Sequence, residues 1–245
     1  MDRYFAKVEE IFTKVIESQV DAMKQAARAC SEAMSANKKL FFFGTGHSHM
    51  LAEEVYYRAG GLMNVIPILE TALMLHEGGP KSTRIERLEG YAPILLDEYK
   101  VGQDDVIFVI SNSGLNAVPV EMALGAKLRG ATVIALTNLQ QSSQEQPRHS
   151  SGKKLFQAAD IVLDNCGCIG DAAVHMDSLH VAVGPTSTVI GAFILNSIIV
   201  QAAQNEVDQG RRPSIFLSAN LAKGDSYNAG LMDNLVSTSD TMEEV

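Results

Sequence analysis

The sequence predicts an α/β fold in which a parallel sheet carries helices on both faces. Short apolar segments alternate with helical patterns along most of the chain, and this alternation is typical of sheets built from βαβ units. Residues 106–110, Val-Ile-Phe-Val-Ile, contain no polar side chain, as expected of a strand buried on both faces. At 245 residues the chain is long enough to bury a full core within one domain.

Five strands and the helices between them follow from the apolar patterns. The strands are predicted at residues 39–43, 65–69, 106–110, 131–136 and 161–163. Helices are predicted from the first strand's loop to about residue 58, ending at Gly60-Gly61, and at 84–97, 115–129 and from about 188 to 205. Polar residues 139–154 predict a mobile surface loop.

Two segments flank this predicted domain, which spans residues 37–206. Apolar residues recur every three or four positions in 1–36, which predicts one amphipathic helix packed on the domain or on a partner subunit. Residues 207–245 are a polar C-terminal tail, too short and too poor in apolar residues to form a second domain.

Composition excludes several classes of protein. The net charge of −9 argues against a nucleic-acid binder, which would usually be basic. Three cysteines, Cys30, Cys166 and Cys168, give no disulfide framework and suit a reducing cytoplasm. The first residues lack an apolar signal core, and the apolar stretch 189–203 is interrupted by polar residues and too short to span a membrane. We therefore expect a cytoplasmic protein that binds neither nucleic acid nor membrane.

Three loops combine small hydroxyl residues with the start of a helix. They are Gly-Thr-Gly-His-Ser at 44–48, Ser-Asn-Ser-Gly at 111–114 and Thr-Ser-Thr at 186–188. All would lie at the carboxyl edge of the sheet, where ligands of such folds bind and where helix N-termini attract anions. Serine is also a common helix cap without any ligand, and one loop alone would favour that interpretation. Three converging loops favour a phosphorylated small ligand held by hydroxyls and amides.

A dinucleotide site is the alternative for the first loop. Gly44-x-Gly46 follows a strand, and Glu70 ends the next strand where an acid that binds ribose would stand. The third glycine of that motif is missing, because His49 occupies its position. The serine loops have no role in such a site, so we disfavour it.

These motifs resemble those of the sugar isomerase (SIS) domain family. The matching stretches are Gly44-x-Gly46-x-Ser48, Ser111-Asn112-Ser113-Gly114 and the helix start Pro185-Thr186-Ser187-Thr188, and the resemblance extends over residues 39–205. It implies a three-layer α/β/α sandwich with a five-stranded parallel sheet of flavodoxin-like type, a sugar-phosphate ligand, and homodimers or homotetramers. It further implies that the phosphate is bound by residues 111–116, where Asn116 replaces a hydroxyl usual in the family. The other implied ligand contacts are Gly46, Ser48, Ser187 and Thr188.

Within that family the chain is similar to phosphoheptose isomerases and to SIS proteins of unknown activity. Residues 83–90 and 213–220 resemble that subgroup. The resemblance implies aldose–ketose isomerisation of a sugar phosphate. Two alternatives fit the same fold: a non-catalytic sugar-phosphate sensor, and a lyase or etherase that acts on an amino-sugar phosphate.

The candidates for the isomerisation chemistry are acids and histidines near the predicted ligand edge. His49 and Glu53 share one helix face and resemble a family pair that can bind zinc, with the glutamate moving protons; otherwise they form a solvated face. Glu70 is the second candidate base. His175 and His180 are candidates for the ring-opening acid or, with Asp171, for metal ligands, although a lone histidine is more often structural. No cofactor other than such a zinc ion is expected.

One departure from the family weighs on this mechanism. Phosphoheptose isomerases place their catalytic histidine within the last helix. Here residues 189–205 contain no histidine, and Asn196 lies near that position. His175 or His180 would have to substitute for it, or the protein binds its ligand without converting it.

Overall fold

The computed structural model describes residues 1–240, and the side chains of residues 1–233. Its helices, α1 to α10 in chain order, are Asp2–Ser18, Val20–Ser35, His49–Glu54, Gly79–Ile85, Ala92–Glu98, Ala117–Leu128, Leu139–Gln144, Leu155–Ala158, Ser187–Asp208 and Gly224–Asp240. Its strands, β1 to β7, are Leu40–Gly44, Val65–Ile68, Val106–Ile110, Thr132–Thr137, Ile161–Asp164, Ala172–Val174 and Val183–Pro185.

The first five strands form one parallel sheet in the order β2-β1-β3-β4-β5, and the predicted α/β sandwich is confirmed. The register places Gly44 at the end of β1 opposite Ile110 at the end of β3. Because the chain leaves β1 toward one edge of the sheet and β3 toward the other, a crevice opens between the carboxyl ends of these two strands.

Strand alternation divides the core into two layers. Phe42 and Phe108 stack with ring centroids 4.5 Å apart on the face that α2 and α9 cover. Phe41 and Phe43 point to the opposite face, among residues of α5 and α6. Because both faces are covered, β1 is apolar at every position before Gly44 and β3 is apolar throughout, rather than at alternate positions.

The N-terminal segment forms two helices, and the prediction of one continuous helix was wrong. The chain breaks at Gln19, whose side-chain oxygen accepts a hydrogen bond from the backbone N–H of Asp164 at 3.0 Å. Ile11 and Val15 of α1 are buried in the same core layer as Phe42, so the segment packs on its own domain.

Three more local predictions differ from the structure. Helix α3 ends at Glu54 rather than near residue 58, and Tyr57 then takes a left-handed conformation with φ of 41°. The predicted helix at 84–97 is two helices, α4 and α5. The predicted loop at 139–154 begins with α7, because the side chain of Asn138 accepts the N–H of Gln141 at 2.8 Å and caps that helix.

The described part of the C-terminal tail lies against the segment before β2. Leu62 and Ile215 form an antiparallel bridge. The buried side chain of Asn228 bonds both the N–H and the carbonyl oxygen of Leu217, at 2.9 and 2.8 Å. These contacts attach the start of α10 to the preceding tail segment.

Helix α9 is long and apolar enough, by length and a mean hydropathy of 1.4, to cross a membrane. Its residues Ile190, Ile194 and Ile198 are instead buried in the core layer that α9 forms with α2. Packing within the domain therefore accounts for the apolar residues on this face of α9.

Candidate functional site

A cavity of about 300 Å³ lies at the carboxyl ends of β1 and β3. The loop after β1 contributes residues 45–48, and the loop after β3 contributes residues 111–113 and Asn116. Gly46, Ser48, Ser111, Asn112, Ser113 and Asn116, all predicted to contact a ligand, are thus brought together around one space.

The first loop is built around a close backbone approach. A Cβ atom on Gly44 would lie 2.5 Å from the backbone C and O of Ser48 and 2.9 Å from the backbone N of His49. Only glycine fits there. Gly46 follows with φ of +57°, and residues 46–48 form a single 3-10 turn before the six-residue α3. This turn places Ser48 and the exposed His47 on the cavity wall.

The second loop is held from within and leaves hydrogen-bond donors free. The buried hydroxyl of Ser111 accepts the N–H of Gly114 at 3.1 Å. Asn165 donates to the side-chain oxygen of Asn112 at 2.7 Å, which orients the Asn112 amide. Among residues 1–233, whose side chains are described, neither the Ser113 hydroxyl nor the Asn112 NH₂ group has a hydrogen-bond partner. Both residues line the cavity, beside the N-terminus of the twelve-residue α6.

Glu86 is a cavity residue that our site prediction missed. One carboxylate oxygen accepts the Thr45 hydroxyl at 2.6 Å, and the other accepts the Asn116 amide at 2.7 Å. Arg148 donates to the side-chain oxygen of Asn116 at 2.8 Å. One of the two Asn116 N–H groups is therefore committed to Glu86 rather than free for a ligand. The sequence feature that could have identified Glu86 is the stretch 83–90, which resembles the family subgroup. Its local composition indicates only the charged end of a helix.

The third predicted loop does not open into the cavity. The Asp171 carboxylate accepts the backbone N–H groups of Thr186 and Ser187 at 3.0 and 2.8 Å, and the Ser187 hydroxyl at 2.6 Å. Asp171 lines the cavity, whereas Ser187 and Thr188 are not part of its wall. The N-terminus of α9 thus binds a carboxylate of the protein itself.

His49 and Glu53 lie behind the first loop. The His49 side chain is 9% exposed, its Nδ1 contacts the carbonyl oxygen of Gly46, and its Nε2 lies 3.9 Å from Glu53 Oε2. Among the described residues, no third His, Cys, Asp or Glu donor lies within 4.8 Å of both. Zinc sites take at least three protein ligands, so within the described residues this pair does not form a complete zinc site.

The remaining predicted catalytic residues lie outside the cavity wall. Glu70 accepts the N–H of Ala72 at 3.1 Å. Burial raises the pKa of Tyr91 to about 12, with a further contribution from its hydrogen bond to Glu70. His175 and His180 are exposed, and Arg3 donates to the His175 carbonyl oxygen.

Sequence comparison finds one family and close relatives. The model of the SIS domain matches residues 3–138. A UPF0309 protein of Geobacillus thermodenitrificans is 42% identical over 228 residues, 93% of this chain and 92% of that protein. A UPF0309 protein of Halalkalibacterium halodurans is 44% identical over 226 residues, 92% of this chain and 93% of that protein.

Solved structures share the fold at low sequence identity. A phosphoheptose isomerase from Francisella tularensis superposes with a TM-score of 0.57 at 17% identity, over 83% of this chain and 96% of that one. One from Neisseria gonorrhoeae gives a TM-score of 0.52 at 18% identity, over 84% of this chain and 95% of that one.

Proposed function

Because the chain belongs to the SIS domain family and has UPF0309 proteins among its relatives, we propose that it binds a sugar phosphate in the cavity at the ends of β1 and β3. The protein then isomerises this sugar phosphate between its aldose and ketose forms. One observation carries the proposal. The loop after β3 presents the free Ser113 hydroxyl and the free Asn112 amide to this cavity, at a helix N-terminus.

The phosphate is assigned to the loop of residues 111–116. The N-terminus of α6 carries a partial positive charge, and hydroxyl and amide donors there are the usual ligands of a bound phosphate. The cavity wall contains no Lys or Arg among the described residues. Each donor contributes about 1.5 to 3 kcal/mol to the binding of a charged phosphate, so several must act together.

The sugar end of the ligand is assigned to the first loop and Glu86. Moving a proton between C1 and C2 requires a base, and opening the sugar ring requires an acid. Glu86 lines the cavity, and its carboxylate accepts hydrogen bonds from two side chains. His47 is the histidine on the cavity wall. We assign Glu86 as base and His47 as ring-opening acid, ahead of the predicted Glu53, Glu70 and His49.

A sugar-phosphate sensor is the second candidate function. It is favoured by the bonding of Glu86, because both of its oxygens already accept hydrogen bonds from Thr45 and Asn116. A carboxylate engaged in this way supports the loop geometry whether or not it moves a proton.

Exchange of carbon-bound hydrogen in heavy water tests the isomerase. The protein is incubated with a heptose, a hexosamine and a pentose phosphate, and deuterium incorporation at C1 and C2 is followed by NMR. We expect exchange with at least one sugar, and a loss of about 10²- to 10⁴-fold in Glu86→Gln. Binding without exchange would favour the sensor. Exchange that survives in Glu86→Gln and disappears in Glu53→Gln or Glu70→Gln would overturn the assignment of the base.

The outer face of α9 supports the expected homodimer or homotetramer. Val189, Val200 and Val207 are 41%, 70% and 55% exposed in the single chain, and an apolar helix face of this kind is often covered by another subunit. Light scattering of the purified protein would show a mass of two or four chains, and a monomer would contradict this part of the proposal.

A further inference from the structure

Three side chains from distant parts of the chain converge outside the cavity. Glu89 follows α4, Glu121 lies on α6, and His149 lies in the segment between α7 and α8. Their nearest donor atoms all lie within 4.8 Å of one another. His149 Nε2 is 3.5 Å from Glu121 Oε1 and 4.0 Å from Glu89 Oε2.

This cluster buries charge without a fixed cation. The side chains of Glu121 and His149 are only 14% and 10% exposed. Among the described residues, no Lys or Arg nitrogen lies within 4.0 Å of either carboxylate, and His149 Nε2 makes no hydrogen bond. A nearly buried carboxylate is costly unless it is hydrogen-bonded and paired with a positive charge, so a cation bound between the two carboxylates would stabilise the cluster.

Neighbouring groups hold the three side chains in place. The Gly90 N–H donates to both oxygens of Glu121, at 2.7 and 2.9 Å. The hydroxyl and backbone N–H of Ser150 each donate to Glu89 at 2.6 Å and lower the pKa of its carboxyl. The Ser151 hydroxyl lies 2.7 Å from His149 Nδ1. It can accept a hydrogen bond from Nδ1–H when Nε2 binds a metal, as the outer partners of metal-bound histidines do; in the structure Nδ1 itself accepts the backbone N–H of Ser151 at 3.2 Å.

We propose that Glu89, Glu121 and His149 bind one divalent transition-metal ion of the zinc type. One imidazole and two carboxylates form a ligand set that Zn²⁺ accepts, with water in the fourth position. Glu89 is 42% exposed, which leaves room for that water and a path for the ion. Small side-chain movements bring atoms 3.5 to 4.0 Å apart to the spacing of ligands around one ion.

The ion would join three segments that either line the cavity or contact a residue of its wall. Arg148, next to His149, donates to Asn116, and Glu86 lies three residues before Glu89. A metal here would therefore restrain the Arg148–Asn116–Glu86 contacts without touching a ligand in the cavity. The site does not depend on the proposed isomerase activity.

Zinc titration of the full-length protein tests the site. The protein is stripped with a chelator and titrated with ZnCl₂ by calorimetry, and with CoCl₂ by visible absorption. We expect one tight site per chain and a cobalt spectrum typical of four or five ligands. Affinity should fall at least tenfold in His149→Gln and in Glu121→Gln, and less in Glu89→Gln, because water can replace this exposed ligand.

Matched controls separate this site from other zinc ligands. The double variant Cys166→Ser/Cys168→Ser and the variant His49→Gln should keep the wild-type affinity. Circular dichroism of each metal-free variant shows that it is folded, and the exposed Glu89 provides a variant that leaves the buried pair intact. Three outcomes would overturn the proposal. They are wild-type zinc affinity in His149→Gln, a loss of zinc affinity confined to the control variants, and the absence of any tight zinc site.

Discussion

The Ser113→Ala substitution separates ligand binding from stability at the proposed phosphate loop. The Ser113 hydroxyl has no hydrogen-bond partner within the described chain, and the residue is half-buried on the cavity wall. Its removal should therefore change the free energy of unfolding by no more than about 0.5 kcal/mol. A hydrogen bond to a charged phosphate contributes about 1.5 to 3 kcal/mol, so the affinity for a sugar phosphate should fall about 10- to 100-fold.

Two other serines provide the comparison. In Ser111→Ala the buried N–H of Gly114 loses its acceptor, which should cost about 1 to 3 kcal/mol of stability and disturb the loop. Ser143 lies on the exposed side of α7, and its hydroxyl bonds the carbonyl oxygen of Gln140. Ser143→Ala should change neither quantity by more than the error.

Calorimetry with the sugar phosphate that binds best, and urea denaturation of each variant, provide the two measurements. Inorganic phosphate added as a competitor shows whether the lost affinity belongs to the phosphate group. If Ser113→Ala binds within twofold of the wild type, the assignment of this hydroxyl to the phosphate is refuted. A loss of affinity that merely follows a loss of stability would refute it as well.

Two further predictions concern stability. Gly44→Ala places a Cβ 2.5 Å from the backbone of Ser48. The free energy of unfolding, measured by urea denaturation, should therefore fall by about 1 to 3 kcal/mol, and binding of the sugar phosphate should be abolished. An unchanged urea midpoint would contradict the described loop. Glu206 is 4% exposed and accepts two hydrogen bonds from Arg211, at 2.7 and 2.8 Å, which hold its pKa below the usual 4.5. Its stabilisation is therefore fully present above the unfolded pKa and is lost as the pH falls through the folded one. Glu206→Gln should be about 1 to 2 kcal/mol less stable at neutral pH, with the difference shrinking below about pH 4.5, and a difference that does not change with pH would exclude the ion pair as its cause.

The sheet was predictable because a strand buried on both faces is a continuous run of apolar residues, which the local sequence shows directly. The span Val106–Ile110 was predicted to the residue, since an apolar run that ends at a serine loop leaves little choice of boundary. The break at Gln19 was not predictable in this way. No Gly or Pro marks it, and a side chain that bonds a strand over a hundred residues away accompanies it. Likewise α7 depends on its Asn138 cap rather than on apolar spacing.

Two of the three predicted ligand loops line one cavity, because strand order alone brings Gly46 and Ser113 to one crevice. Glu86 was missed because its role depends on contacts with Thr45 and Asn116, which are 41 and 30 residues away. Ser187 was placed on the ligand because its sequence does not reveal that Asp171 occupies the same helix end.

The two edges of the sheet bear on how the protein behaves at high concentration. Exposed backbone N–H groups on an edge strand are a template on which strands of another molecule can assemble. The edge strand β2 contains Pro67, which has no N–H to offer, and Gln19 occupies the N–H of Asp164 on the opposite edge strand β5. Gln19→Ala would uncover that donor, so the variant should form intermolecular β-structure and precipitate sooner on storage.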